Sequence, residues 1–174
     1  MKTLQIRKDL MAVFYSFHYG RDVKRVQLIR NMGKLDGQRL LNAQEWEAVR
    51  ARGSSAIANW IDDQMKYKTA VIVLIGRETA YRPWVKYEIE KAWQAKRPLL
   101  GIRIHGLSSM GTVDSTGPDP FTQIPGREGT NPGLPIFDPT VTDYYGKIDS
   151  QATYRRLASN LQSWSNQGRV RSSW

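Results

Sequence analysis

The seven residues TAVIVLI (69–75) constrain the fold of this chain most, because none after Thr69 is polar. A strand with one wet face alternates apolar and polar side chains. A run apolar on both faces fits the middle of a parallel sheet covered by helices on either side. AVFYSF (12–17) and PLLGIRI (98–104) have the same character and read as two further buried strands. LPIF (134–137) is a candidate short edge strand within 105–150, a stretch rich in Gly, Pro, Ser and Thr.

Helical patterns fall between these runs. RDVKRVQLIRNMG (21–33) spaces Val23, Val26, Leu28 and Ile29 at near-helical intervals and stops at Gly33, while HYGRD (18–22) reads as the loop that leads into it. Residues 33–53 read as polar and irregular, with Leu40, Leu41 and Trp46 as packing points. SSAIANWIDDQM (54–65) repeats through Ile57, Trp60, Ile61 and Met65, with Ser54 or Ser55 available as its cap. RPWVKYEIEKAW (82–93), which this count makes the third helix, has Pro83 in its first turn and a buried stripe of Val85, Ile89, Ala92 and Trp93. SQATYRRLASNLQSW (150–164) is a closing helix with Tyr154, Leu157, Leu161 and Trp164 on one stripe.

Strands alternating with helices predict an α/β domain with a mostly parallel sheet, one domain over residues 1–174. In such sheets ligands bind at the carboxyl ends of the strands, where the strand order reverses. The residues directly after the three best strands are His18-Tyr19, Gly76-Arg77-Glu78 and His105-Gly106, and these are expected to gather on one rim.

Composition narrows the partners. Lys and Arg number 26 against 16 Asp and Glu, a formal charge of +10, which favours anionic ligands. The cations are spread along the chain, the pattern of a solvated surface and not of a nucleic-acid track. No apolar run is long enough to span a bilayer, so no membrane partner is expected. Arg7, Lys8 and Asp9 interrupt the first apolar stretch and make a poor secretory signal. The absence of cysteine excludes disulfides and a thiol nucleophile and fits a reducing cytoplasm, the expected location.

Glu88 flanks the apolar stripe of the 82–93 helix, near its start and hence near the ligand rim, whereas Glu90 points further toward solvent. Two readings stand side by side. Glu88 pairs with Lys86 or Lys91 on a wet surface, or it is a carboxylate half-screened by aromatics that stabilises a developing cation. His18 and His105 are the only histidines, and without HExxH or a Cys/His cluster no metal site is expected. A nucleophile built from Ser16 with His18 or His105 is open but unsupported by spacing. No glycine-rich phosphate loop follows the first strand, which counts against an NTPase or a redox dinucleotide enzyme. GPDPF (117–121) is a turn first and a lid second, and VRSSW (170–174) a basic tail.

Taken in order, these pieces resemble a known family. VFYSFHYGRD resembles the first box of TIR domains, and SSAIANWIDDQMKYKTAVIVLIGRETAYRPWVKYEIEKA resembles the middle of TIR-like proteins. LLGIRIHGL followed by GPDPF is similar to what TIR-like proteins of the Thoeris anti-phage defence system carry at the same place. The match covers roughly residues 12–125. In 33–53, where the family has its second strand and substrate loop, only Glu45-Trp46-Glu47 corresponds, and His18-Tyr19 replaces the Arg-Gly of many TIR domains.

The resemblance implies a flavodoxin-like, three-layer domain of strand order 2-1-3-4-5. It also implies an enzyme that cleaves NAD⁺ at the nicotinamide–ribose bond and makes a cyclic ADP-ribose-type signal for a separate effector protein. NAD⁺ enters as substrate, and no cofactor is expected. The family's catalytic glutamate maps onto Glu88, with Trp84 one turn before it. Phe17, Tyr19 and Trp84 become candidates to stack the substrate's rings, Ser16 and His18 to contact ribose or phosphate, and Trp46 a further substrate contact. Self-association is a further expectation. The alternative is a non-catalytic signalling module working through TIR–TIR contacts, since one fold serves both.

Overall fold

The structure, a computed structural model, describes residues 10–124 and 129–172. Arg7, Lys8 and Asp9, on which the signal-peptide reading rests, and the last two residues of the basic tail lie outside the described residues. TAVIVLI supplies β3 (Ala70–Ile75), all six residues of which are buried. It stands at the centre of a five-stranded sheet with β1 (Ala12–Ser16), β2 (Asp36–Gly37), β4 (Leu99–Arg103) and β5 (Ile136–Phe137), in the order β2-β1-β3-β4-β5. Every pairing is parallel, and Tyr15 lies beside Ile72, itself beside Leu100. This is the α/β, flavodoxin-like architecture expected.

Side-chain alternation along the strands divides the core into two layers. Val13, Tyr15, Ile72, Leu74, Leu100 and Ile102 face α1 (Tyr19–Asn31) and α5 (Ser150–Ser165), through Val26, Ile29, Leu157 and Leu161. Phe14, Val71, Val73, Ile75 and Leu99 face α3 (Ser54–Met65) and α4 (Pro83–Gln94), through Ile57, Ile61, Val85 and Ile89. No described helix is long and apolar enough to cross a membrane.

Four details differ from the sequence reading. The segment 18–22 is not a loop: His18 caps α1, its ring accepting from the Arg21 N–H, and the helix begins at Tyr19. Residues 33–53 are not irregular, for they hold the two-residue β2 and a helix, α2 (Ala43–Ala51). The helix that carries Glu88 is consequently the fourth. Neither Ser54 nor Ser55 caps α3; Gly53 occupies that position at φ +95°, a left-handed conformation that glycine adopts without a Cβ clash.

The GPDPF segment is fastened down and is not a lid. Asp119 accepts from the Phe121 N–H at 2.7 Å, and the Phe121 ring is fully buried against Gly101, where a Cβ would lie 3.1 Å from it. Beyond α5 the chain returns to the sheet, where Arg169 and Leu99 exchange backbone hydrogen bonds of 2.9 and 3.0 Å.

Candidate active site

The chain leaves β1 toward β2 on one side and returns past it to β3 on the other, so the strand order reverses beside β1. That switch point is where parallel sheets present ligand crevices. A cavity of about 620 Å³ opens there, within the range of about 300–1,000 Å³ usual for small-molecule sites. The end of β1 and start of α1 supply Phe17, His18 and Tyr19; the segment after β2 and α2 supply Gln38, Arg39, Trp46 and Arg50; α4 supplies Trp84 and Glu88.

Glu88 is carried here by helical phase. Val85 and Ile89 bury against the sheet, and Glu88 lies on the same flank, only 8 % exposed. The lysines that a wet-surface reading would give it are engaged elsewhere: Lys86 lies 4.0 Å from Glu90 and Lys91 3.4 Å from Asp62. Among the described residues no cation compensates the Glu88 carboxyl. Burial pushes its pKa up to about 8, and the neighbouring Ser16 hydroxyl offsets only part of that. Their approach is not a formed hydrogen bond, because neither Glu88 Oε2 nor Ser16 Oγ has a partner. A buried carboxyl lacking a partner is costly in a finished core and serviceable in a binding site.

Aromatic rings form the opposite wall. Phe17 stacks on Tyr19 at 5.9 Å, Tyr19 on Trp46 at 5.6 Å, and Trp46 meets Trp60 edge-on at 6.3 Å. On the α4 side Trp84 meets Tyr87 edge-on at 5.5 Å, and the Tyr87 hydroxyl donates to Asp62 at 2.9 Å.

Six of the seven sequence candidates, Phe17, His18, Tyr19, Trp46, Trp84 and Glu88, thus share one cavity. Ser16 is the exception: it is fully buried, does not line the space, and lies behind Glu88. No Ser–His pair forms. The His18 Nδ1 is committed to the α1 cap, and the His105 Nε2 lies 3.4 Å from the Thr140 hydroxyl. Burial first, then the Arg82 guanidinium, holds His18 below its ordinary pKa, with Glu78 at 4.0 Å opposing them.

The remaining rim residues assemble as a belt outside the cavity. Arg21 donates to the Asp114 carboxylate at 2.8 and 3.2 Å and to Glu78 at 3.4 Å. Asp114 in turn donates its backbone N–H to the His105 carbonyl at 2.9 Å. Arg25, buried, donates to Asp22 and to the carbonyls of Leu107 and Thr112. The loops after β3 and β4 are therefore tied to α1, and they line the outer side of the belt.

Sequence reasoning missed Gln38, Arg39, Arg50, Trp60 and Arg82 as cavity residues. Gln38 had no motif to mark it. Its side chain takes the Tyr15 N–H and donates to the Tyr15 carbonyl, both at 2.8 Å, and so acts as one more rung of the β1–β2 ladder. Arg39 and Arg50 pair with Glu45 and Glu47. The Arg82 guanidinium has no hydrogen-bond or ion-pair partner among the described residues, while its backbone N–H donates to the Thr79 carbonyl at 3.2 Å.

A parallel sheet of order 2-1-3-4-5 with an aromatic-walled cavity at its switch point and a glutamate on α4 defines a TIR-like α/β domain. The family model described as "Thoeris protein ThsB, TIR-like domain" matches residues 14–109, over half the chain, and the chain belongs to that family. A protein of Bacillus cereus (strain MSX-D12) named "Putative cyclic ADP-D-ribose synthase ThsB1" is 33 % identical over 118 residues. That alignment covers 64 % of this chain and 62 % of the relative, so the match spans less than two thirds of the relative's length.

Proposed function

We propose that this protein cleaves the nicotinamide–ribose bond of NAD⁺ and passes the ADP-ribosyl group to an internal acceptor, giving a cyclic ADP-ribose-type signal for a separate effector. The observation that carries the reading is Glu88: one carboxyl, buried and lacking a cation, on the wall of an aromatic cavity. The name of the Bacillus cereus relative agrees with it.

One carboxyl is sufficient for this chemistry. An ordinary glycosidase protonates a poor leaving group and therefore uses two carboxyl groups. In NAD⁺ the C1′–N1 bond breaks with its electron pair going to N1, which turns a cationic pyridinium into neutral nicotinamide. No general acid is needed, and what must be stabilised is the positive charge left on ribose. Glu88 holds its proton in the free protein. The cationic ring favours the carboxylate, so substrate binding releases that proton, and the carboxylate then faces the oxocarbenium-like ribose at low local dielectric. Trp84 and the Phe17–Tyr19–Trp46 stack sandwich the rings. Capture by water or a ribose hydroxyl, each losing its proton, would yield ADP-ribose or a cyclic isomer, and capture by an adenine ring nitrogen, with a proton lost from the exocyclic amino group, another cyclic isomer.

The test is nicotinamide release from NAD⁺ by purified protein, alone and with extract of phage-infected cells, for the wild type and Glu88→Gln. The variant should lose at least about 100-fold in rate. Triggered wild type that releases no nicotinamide removes the enzyme, and a glutamine variant with full turnover removes Glu88 from its role. The adaptor reading has no need of a cavity of this size beside a buried carboxyl.

A further inference from the structure

The mouth of the cavity holds a guanidinium and a helix start that no side chain of the described residues satisfies. Arg82 is exposed and lines the cavity, and its guanidinium has no carboxylate or carbonyl partner among the described residues, whereas Arg39 and Arg50 are each held by a glutamate. It immediately precedes α4, whose first residue is Pro83 and whose start has no side-chain cap. The backbone N–H groups of Trp84 and Val85 thus lack the intrahelical partner that later residues have, and both residues stand on the cavity wall. A helix N-terminus of this kind favours an anion. An independent sign that a ligand belongs here is the unpartnered oxygen of Glu88, on the same helix and facing the same space.

The charge of Arg82 is already felt across the opening. It is the second cause, after burial, that holds His18 toward its neutral form. A cation that crowds a histidine and has no counter-ion of its own is one that an incoming anion would neutralise. At about 1.5 Å per residue, Glu88 lies roughly 9 Å along the helix axis from Arg82. One ribose 5′-phosphate fits between the two, with its anomeric carbon at the carboxyl and its phosphate at the helix start.

We propose that Arg82 and the uncapped start of α4 form the phosphate site of this cavity, binding the 5′-phosphate of the ribose that Glu88 serves. The inference rests on reading the cavity as an NAD⁺ site, and it adds the residue that distinguishes a nucleotide from a nucleoside there. Arg82 is then a specificity-determining residue: its guanidinium fork matches phosphate oxygens, and a lysine would match them only as a point charge.

Two readouts keep this separate from the activity. The first is binding of ADP-ribose and of inorganic pyrophosphate, followed by quenching of the cavity tryptophans, for the wild type, Arg82→Gln, Arg82→Lys and a charge-matched control, Lys147→Gln, on an exposed loop. Arg82→Gln should weaken both ligands about tenfold, equivalent to about 1.4 kcal/mol. Arg82→Lys should fall between, and the control should bind as wild type. The second is nicotinamide release from NAD⁺ against nicotinamide riboside, where Arg82→Gln should raise KM for the nucleotide, leave kcat near wild type, and erase the preference over the riboside. Equal affinity in wild type and Arg82→Gln, or an equal loss in the control, overturns the phosphate site even if NAD⁺ is cleaved. Arg82-dependent binding of ADP-ribose without any nicotinamide release, even with extract of phage-infected cells, would sustain the phosphate site and sink the proposed reaction.

Discussion

If Glu88 acts as proposed, it sets activity and stability against each other. Its carboxyl has an ordinary pKa near the usual carboxylate range when the chain is unfolded and about 8 when folded. Between those values the folded protein holds a proton that the unfolded chain has released, so stability falls as pH rises through this window and levels off above it. Glu88→Gln, which has no proton to lose, should match the wild type below about pH 4.5 and exceed it in urea midpoint at about pH 8. The gap should grow by no more than about 1.4 kcal/mol per pH unit. A gap that shrank with rising pH would mean that the carboxyl is ionised in the empty site. In the proposed reaction the same proton acts in the opposite sense. The carboxylate is the working form, so kcat/KM, which reports the free enzyme, should climb with pH and flatten near 8. The Ser16 hydroxyl moderates this value without a formed hydrogen bond, which is why a residue read from sequence as a substrate contact acts from behind the carboxyl.

Elements differ in how far their sequence betrays them. β3 and β4 are legible because both faces are buried, which leaves only apolar residues permissible, and α4 and α5 because each has one stripe against the sheet. The segment 33–53 is not legible by periodicity for a physical reason: β2 is two residues long, and α2 has no fully buried residue and so presents no stripe. Its signal was a cap. Asn42 accepts from the Glu45 N–H at 2.8 Å while its side-chain amide donates to the Glu45 carboxylate at 3.1 Å, an N-cap that an N-x-x-E pattern announces. The site was legible where motif and helical phase carried it, at Glu88 and Trp84. It was not legible at Arg82, whose lack of a partner is a property of three dimensions. The shortness of β2 also makes a prediction. Gln38 supplies from its side chain what a third residue of β2 would supply from backbone, and it is itself buried. Gln38→Ala strands the N–H and carbonyl of Tyr15 and should cost about 2–3 kcal/mol in urea unfolding. A loss under about 0.5 kcal/mol would show that β1 is held by β3 alone and that water serves the Tyr15 groups.

At the scale of the whole molecule the charge of +10 acts on fold and ligand in opposite directions. The belt around Arg21 and Arg25 neutralises the cations nearest the sheet, pairing Arg21 with Asp114 and Glu78 and Arg25 with Asp22. The excess positive charge resides elsewhere, in side chains such as Arg82 that face solvent. Repulsion among them weakens the compact state, and under the proposed function the same field draws the anionic dinucleotide substrate toward the cavity. Salt screens both, since the Debye length drops to about 10 Å at 0.1 M and shortens further above it. Raising KCl from about 50 to about 500 mM should therefore raise the urea midpoint of the empty protein while lowering kcat/KM for NAD⁺ several-fold. Nicotinamide riboside, a cation, should show no such loss, because it is not attracted to begin with. Nucleic acid gives a contrasting outcome: a track of phosphate contacts would make binding fall steeply and linearly in log–log against salt. Dispersed cations should give only weak, shallow binding to DNA or RNA. If kcat/KM for NAD⁺ proves flat with salt while the midpoint rises, the field stabilises or destabilises the fold without reaching the cavity, and the arginines at its mouth act only at contact range.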